Sequence, residues 1–154
     1  MKAEARQIVA ALKLEPLPRE GGFFRSTWRG AGSSAILYLL TPGNFSALHR
    51  LQGDEMWHFH AGDAVELVQL DPRDGTAGVV RLGPEVLGQD CPQVLVPAGV
   101  WQGARVVAGA GAGWSLVGCT MTPAWDERNF ELAVRAELLR AFPAAAALIR
   151  SLTR

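Results

Sequence analysis

The stretch that decides the fold is residues 45–62, FSALHRLQGDEMWHFHAG. Apolar and polar residues alternate on both sides of its centre, with the period of two that is typical of half-buried strands. Gly53 has permissive backbone dihedrals and Asp54 can hydrogen-bond its own backbone, so residues 52–54 are predicted to form a tight turn. The stretch is therefore predicted to be a β-hairpin.

This hairpin would bring an imidazole and a carboxylate together. With a three-residue loop, Leu51 lies opposite Glu55 and His49 lies opposite Trp57, so His49 and Glu55 are diagonal neighbours on one face. An inward glutamate beside an inward histidine is costly in an apolar core. We therefore expect a functional site around His49 and Glu55.

The other face of the second strand carries Met56, His58 and His60. The spacing of the two histidines allows a rival metal site, but Glu55 points to the opposite face, so the pair lacks a carboxylate in register. The alternative interpretation is that His58 and His60 are surface or sheet-packing residues.

Length, charge and composition narrow the class of protein. The chain has 154 residues, enough for one domain with a hydrophobic core, and its 15 basic and 15 acidic residues leave no net charge. We therefore expect neither nucleic-acid binding nor attraction to an anionic membrane. Neither a signal peptide nor a run of about 18 apolar residues is recognisable. Cys91 and Cys119 are expected to be free buried thiols, which suits a cytoplasmic location.

Further strands are predicted on both sides of the hairpin. Short apolar or alternating runs are separated by Gly/Pro turns, which favours an antiparallel sandwich or barrel of about nine strands. A glycine-rich loop is expected at residues 109–113. The predicted strands outside the hairpin are 23–28, 34–40, 64–71, 76–82, 93–97, 101–108 and 114–120.

Helices are predicted at both ends of the chain. Residues 3–13 have helical apolar spacing, and residues 143–152 form a helix with proline at its first position. Asp126 can cap a third helix, in which apolar residues recur every four positions from Phe130 to Leu138. We expect one domain comprising an N-terminal helical cap, a β-barrel and C-terminal helices, at residues 1–19, 20–122 and 123–154.

Two motifs resemble those of cupins. The first cupin motif has the pattern His-x-His, three residues, Glu, six residues, Gly, and the second has Pro-x-Gly, two residues, His. Two histidine positions are replaced here, by Leu51 and by Gln102. The matching residues are His49, Leu51, Glu55 and Gly62 in the first motif and Pro97, Gly99 and Gln102 in the second.

A wider set of segments resembles one branch of the cupins, the DUF985 or cupin 5 family. The resemblance implies a double-stranded β-helix (jelly roll), commonly dimeric and of poorly defined function, similar in fold to sugar-nucleotide epimerases and plant storage cupins. His60 departs from the family, in which this position is usually aromatic. The segments are Glu20–Arg25, Phe45–Arg50, Asp54–His58, Ala61–Asp63, Val96–Gln102, Trp114–Cys119 and Phe130–Ala133.

The resemblance suggests a metal hypothesis. A divalent metal (Zn, Ni, Fe or Mn) would be held by His49, Glu55 and Gln102. A neutral amide is a poor ligand for such metals and Leu51 offers none, so this set should bind weakly.

A second hypothesis is metal-free chemistry in a pocket inside the barrel. His49 would act as a base oriented by Glu55, with Tyr38 as the acid, as in epimerisation next to a carbonyl. Arg25 would bind a carboxylate or phosphate group of the ligand, or else form a surface or dimer-interface salt bridge. Tyr38 has an alternative role as a core residue with a backbone partner.

Three further side chains are expected at the pocket. Gln102 would be a ligand-binding group, and Trp57 and Trp101 would be apolar walls for a sugar or an aromatic ring. Plain core packing is the alternative for both tryptophans.

A third hypothesis is a non-catalytic, dimeric small-molecule binding or storage-like cupin. Hydrophobic residues form 49% of the chain, which is compatible with an apolar dimer face.

Overall fold

A computed structural model describes residues 1–107, 109 and 111–154. Two antiparallel sheets pack face to face, with strand orders β1-β2-β3-β10-β5-β8 and β11-β4-β9-β6-β7. The strands are β1 Glu15–Pro16, β2 Phe23–Arg29, β3 Ser34–Leu40, β4 Ser46–Leu51, β5 Asp54–Gly62, β6 Val65–Asp71, β7 Thr76–Leu82, β8 Gln93–Val96, β9 Trp101–Val106, β10 Ser115–Thr122 and β11 Phe130–Leu132.

The two sheets share one apolar core. Inward-facing residues of β3, β5 and β10 meet those of β6 and β9, among them Tyr38, Trp57, Val117, Leu67 and Ala104. This arrangement confirms the predicted antiparallel sandwich or barrel, and seven of the predicted strands agree with the observed ones to within two residues. Two residues of these predictions lie outside the described residues: Ala108, the last residue of the strand predicted at 101–108, and Ala110 of the glycine-rich loop.

The predicted hairpin at residues 45–62 is wrong in its pairing. Both strands form, but β4 belongs to the five-stranded sheet and β5 to the six-stranded sheet. His49 pairs with Gln102 of β9, and Glu55 pairs with Val96 of β8. The chain crosses between the sheets at Gln52 and Gly53, because two strands that are each apolar on one face bury those faces best by packing across the core.

Helices cover the outer faces of both sheets. Helix α1 (Ala3–Ala11) lies on the six-stranded sheet, where Ala5 packs with Leu39 and Trp114. The helices α2 (Arg135–Ala141) and α3 (Ala146–Ser151) cover the five-stranded sheet. The predicted helices at residues 3–13 and 143–152 are thus present in shorter form, the second beginning with a 3-10 turn, Pro143–Ala145. No helix of the described residues is long and apolar enough to span a membrane.

The helix predicted to start after Asp126 is wrong in its first half. Asp126 caps only a 3-10 turn, Glu127–Asn129, and the chain then becomes strand β11. Phe130 pairs with Leu51 at the edge of β4, so backbone hydrogen bonding to an open sheet edge overrides the helical spacing of the apolar residues.

The two cysteines differ in their environment. Cys119 is buried, as expected, whereas Cys91 is exposed, which corrects the expectation that both thiols are buried. The division into domains, the cytoplasmic location and the homodimer stay predictions.

Candidate functional site

A cavity of about 370 Å³ opens between the two sheets near the start of β5. Its deep part is lined by buried side chains from both sheets, including His49 of β4 and Glu55 and Trp57 of β5. Its outer part is lined by residues that precede β2 and β11. The cavity therefore draws its walls from both sheets and from the connecting segments at one end of the barrel.

His49 is held in one orientation inside the cavity. Its Nδ1 lies 2.8 Å from the carbonyl oxygen of Ala47, and because a carbonyl only accepts, Nδ1 carries the proton in the neutral ring. The unprotonated atom is then Nε2, which lies 3.9 Å from Oε2 of Glu20. The ring of Phe130 stacks on the imidazole, with centroids 5.3 Å apart. The result is a fixed imidazole whose free lone pair faces a carboxylate.

Glu55 reaches the cavity from the opposite sheet. Its Oε2 accepts hydrogen bonds from Nε2 of Gln102 at 2.8 Å and from the indole nitrogen of Trp57 at 3.2 Å. Burial, reinforced by the negative charge of Glu20, raises the pKa of Glu55 from 4.5 to about 7, against the opposing effects of His49 and the two hydrogen bonds. At neutral pH this carboxyl group can therefore either donate or accept a proton.

A second carboxylate, Glu20, comes from the turn before β2. Its Oε1 lies 2.7 Å from the hydroxyl of Ser46 and 3.0 Å from that of Tyr38. The next residues, Gly21 and Gly22, both have positive φ, and a Cβ on Gly22 would lie 2.4 Å from the ring of Tyr38. Only a glycine allows the turn to approach the ring so closely, and this approach places Glu20 at the cavity.

Tyr38 has its hydroxyl proton engaged. The hydroxyl lies 2.7 Å from the carbonyl oxygen of Gly21, which can only accept. Burial, followed by the negative charge of Glu20, raises the pKa of Tyr38 well above its ordinary value of 10. Tyr38 therefore lines the cavity with its ring and is a poor proton donor to a ligand.

The mouth of the cavity is formed by exposed side chains. Arg19 lies over the ring of Phe130, 4.8 Å from its centroid, and 3.8 Å from a carboxylate oxygen of Glu127. Arg29 and Trp125 also line this outer part. The mouth thus combines opposite charges with aromatic surface.

The structure brings together four of the residues predicted for the site: His49, Glu55, Tyr38 and Trp57 all line the cavity. His49 and Glu55 meet across the interior instead of along one sheet face, because their strands belong to different sheets.

The other three predicted residues are not among the cavity-lining side chains. Gln102 lies behind Glu55, with its Oε1 accepting from Trp57 at 2.8 Å. Trp101 is buried on the outer face of its sheet, under the guanidinium of Arg50. Arg25 lies on the opposite face of β2 from the cavity-lining residues of that strand.

Sequence reasoning missed Glu20 and Phe130 as site residues. The only local signal for Glu20 is that it precedes two glycines. Phe130 was assigned to a helix because apolar residues recur every four positions from Phe130 to Leu138. Both reach the site through contacts between distant segments.

Comparison with known proteins decides the family. The model of the cupin 5 family (DUF985), a branch of the cupin superfamily, matches residues 6–133 of the chain. The chain belongs to this family. Its fold is the double-stranded β-helix, as expected from the sequence motifs.

Solved structures similar to this cupin fall into two groups. A hypothetical protein from Leishmania major is 32% identical (TM-score 0.89, 99% of each chain covered), and a protein from Shewanella oneidensis is 34% identical (TM-score 0.88, 100% of this chain and 98% of that one). A mutant of Bacillus subtilis oxalate decarboxylase is 12% identical, with a TM-score of 0.61 over 92% of this chain and 38% of that one, and shares the fold alone. No curated protein matches the chain.

The oxalate decarboxylase of Bacillus subtilis has Mn(II) centres, but the residues of this cupin do not fit such a site. In the described part of the chain, no group of three or more His, Cys, Asp or Glu side chains has the arrangement of a metal site. Leu51 lines the cavity with an apolar chain, and both polar atoms of the Gln102 amide are hydrogen-bonded to Trp57 and Glu55. The set His49, Glu55 and Gln102 is therefore a poor metal site.

His58 and His60 lie on the outside of the barrel of this cupin. Nε2 of His58 is 2.9 Å from the hydroxyl of Thr120, and its Nδ1 is 3.0 Å from the side-chain nitrogen of Gln93. His60 lies over Gly118, where an added Cβ would come within 2.6 Å of its ring. These contacts support the sheet-packing interpretation for both histidines.

The contacts of His58 predict its titration. The Gln93 amide donates to Nδ1, an arrangement that requires the neutral ring, and burial, followed by repulsion from His60, lowers the pKa of His58 from 6.5. We expect an NMR titration of the imidazole to have its midpoint below 6.5 in the wild type and closer to 6.5 in Gln93→Ala. Because the folded-state pKa is the lower one, His58 contributes stability above pH 6.5 that is lost as the pH falls through the folded value. A wild-type midpoint at or above 6.5 would contradict this assignment.

Proposed function

We propose that the cavity binds a small molecule and transfers protons on it, in an isomerase- or epimerase-like acid–base reaction. The observation that supports this proposal best is the position of His49 and Glu55. They face one enclosed cavity from opposite sheets, with Nε2 of His49 free to accept a proton. A fixed base and a carboxyl group on opposite sides of a cavity can serve the two faces of one ligand.

The proposed reaction moves a proton from a carbon next to a carbonyl group. Nε2 of His49 takes the proton, the electron pair of the C–H bond moves toward the carbonyl, and the carbonyl oxygen receives a proton from Glu55. Return of the proton from the imidazolium to the former carbonyl carbon, with the O–H proton of the neighbouring hydroxyl passing to Glu55, gives the isomer and restores both groups. A proton added from water to the opposite face of the first carbon gives the epimer, with the enol O–H proton returning to Glu55 and the imidazolium releasing its proton to water. Oε2 of Glu20, 3.9 Å from Nε2, would stabilise the imidazolium in between.

This assignment moves the acid role from Tyr38 to Glu55. The hydroxyl of Tyr38 is engaged by Gly21 and its pKa is raised, whereas the pKa of Glu55 is about 7, close to the value at which a carboxyl group works best at neutral pH. Tyr38 and Trp57, whose rings meet edge to face at 5.9 Å, would instead form an apolar wall for the ligand.

The proposed ligand is a sugar-like or other small carbonyl compound. A carboxylate-bearing ligand is less compatible with the deep part of the cavity, because Glu20 and Glu55 are both acidic and Arg25 lies on another face of its strand. The cavity volume of about 370 Å³ accommodates a molecule of monosaccharide size.

Deuterium exchange tests the proposed reaction. In D2O, the wild-type protein is expected to incorporate deuterium next to the carbonyl of at least one member of a panel of keto-sugars, as measured by mass spectrometry. Because general acid–base catalysis typically contributes a factor of about 10²–10⁴, His49→Ala should lower the exchange rate by at least about 100-fold.

Two controls separate this proposal from its alternatives. Glu66→Gln removes a carboxylate that is paired with Arg105 and does not line the cavity, so its exchange rate should equal that of the wild type. Exchange should also survive a strong chelator, whereas its loss would favour a metal-dependent enzyme. Ligand binding with no exchange at all would favour the non-catalytic, storage-like alternative.

A further inference from the structure

The deep part of the cavity offers acceptors and lacks donors. Oε1 of Glu20 accepts from Ser46 and lies 3.0 Å from the hydroxyl of Tyr38, whereas Oε2 of Glu20 has no hydrogen bond. Glu55 accepts hydrogen bonds through Oε2 and has none at Oε1. Nε2 of His49 is the third such atom. Within the described residues these three atoms have no hydrogen-bond donor.

These acceptors open into the cavity. Among the described side chains, the one fully enclosed polar atom without a partner is Oγ of Ser115, so the free atoms of Glu20, Glu55 and His49 are accessible from the cavity. Buried polar groups are nearly always paired, and a bound ligand that supplies donors would pair these three.

The deep part of the cavity has more acidic than basic side chains. Its ionisable side chains include two carboxylates, Glu20 and Glu55, and one imidazole, whereas the arginines that line the cavity, Arg19 and Arg29, are exposed at its mouth. Even with His49 protonated, the buried positive charge does not exceed the buried negative charge. An anionic group is therefore disfavoured at this depth, and a cation is favoured.

The walls add a second attraction for a cation. The rings of Phe24, Tyr38, Trp57 and Phe130 line the cavity, and the faces of aromatic rings attract positive charge. The three free acceptors are not grouped closely enough to form a metal site in the described residues. An organic cation, which is larger than a metal ion and carries several N–H donors, matches them better.

We propose that the natural ligand carries a primary ammonium group, which donates a hydrogen bond to Oε2 of Glu20 while its apolar part lies against the aromatic walls and its carbonyl part stays free for His49 and Glu55. The inference rests on the proposed function of the cavity as a binding site and names the class of its ligand. An ammonium group has three donors and no acceptor, which suits a cavity whose free polar atoms are acceptors. Its charge-assisted hydrogen bond to Glu20 would be the strongest contact available in the cavity.

Three probes of the same ring and similar size test the inference. Benzylamine, benzyl alcohol and benzoate carry a cationic, a neutral and an anionic group, and their binding is measured by calorimetry at pH 7.5. We expect benzylamine to bind at least about tenfold more tightly than benzyl alcohol, equivalent to about 1.4 kcal/mol, and benzoate to give no measurable binding.

Variants that remove one carboxylate show which side chain is responsible for the preference for the amine. Glu20→Gln should weaken benzylamine binding by about tenfold and leave benzyl alcohol unchanged, because the amide keeps an oxygen that accepts from Ser46 but loses the charge. Glu66→Gln, which removes a carboxylate elsewhere, should change neither. Glu55→Gln provides a second variant should Glu20→Gln fail to fold.

Equal affinities for the amine and the alcohol, tighter binding of benzoate, or no binding of benzylamine would each overturn the inference. Failure of this inference about the ligand is distinguishable from failure of the proposed reaction. Deuterium exchange that depends on His49, together with no preference for the amine, would overturn only the ligand class. A clear preference for the amine without exchange would overturn only the reaction.

Discussion

Replacing Glu55 by glutamine is expected to raise the free energy of unfolding by about 3 kcal/mol at pH 8 and to leave it nearly unchanged at pH 4. The folded-state pKa of Glu55 is raised from 4.5 to about 7, chiefly by burial, so the folded state holds the proton more tightly than the unfolded state does. Ionisation therefore costs the folded state stability as the pH rises from 4.5 to 7, and the full cost is present above pH 7. Glutamine is neutral at every pH and avoids this cost.

Urea unfolding of both proteins between pH 4 and pH 8 measures the difference. Glu66→Gln serves as the control, since its partly exposed ion pair with Arg105 should change stability by less than about 1 kcal/mol without this pH dependence. A Glu55→Gln variant that is no more stable than the wild type at pH 8 would contradict the raised pKa. The same variant should lose proton transfer, which would make Glu55 a position where function is maintained at the expense of stability.

Trp57→Ala is expected to destabilise the fold by about 3–5 kcal/mol. Trp57 is 1% exposed, fills the core between the sheets and donates its indole N–H to Gln102 at 2.8 Å and to Glu55 at 3.2 Å. Trp57→Phe keeps most of the apolar volume and removes the donor, so it should cost about 1–3 kcal/mol, because a buried amide oxygen and a carboxylate lose a partner.

Chemical denaturation of the two variants separates packing from hydrogen bonding at this position. Trp28→Ala is the matched control, because Trp28 is 58% exposed and should change stability by less than about 1 kcal/mol. Equal losses for Trp57→Phe and Trp57→Ala would show that the indole N–H carries the whole effect. A loss below about 1 kcal/mol for Trp57→Ala would contradict its role in joining the sheets.

Short apolar or alternating runs bounded by turn residues were sufficient to predict most strands. The runs at Ser34–Leu40 and Thr76–Leu82 match the observed strands at both ends, because local pattern and turn residues agree there. The alternation of residues along β5 also assigned Glu55 and Trp57 to its inward face. It does not tell which sheet a strand joins, so the pairing of β4 with β5 was predicted wrongly.

The residues of the candidate site likewise divide into those that a local sequence pattern predicts and those that it does not. His49 and Glu55 were predictable because polar residues stand at inward positions of apolar strands. Trp101 and Gln102 are adjacent, so they point to opposite faces of β9, and the sequence alone does not indicate which face meets the cavity. Glu20 was not predictable, since it reaches the cavity through a glycine turn that packs on Tyr38, a contact between segments far apart in the sequence.

The short crossing at Gln52 and Gly53 has a consequence for how cavities of this kind can diversify. It places His49 and Glu55 only six positions apart in the sequence, one on each side of the crossing, so one short segment carries both. The mouth, by contrast, includes Arg19 and Trp125, which come from segments far from this crossing in the sequence. Substitutions at the mouth can therefore exchange one ligand for another while the proton-handling pair stays in place, which makes the mouth the natural target for redesigning selectivity.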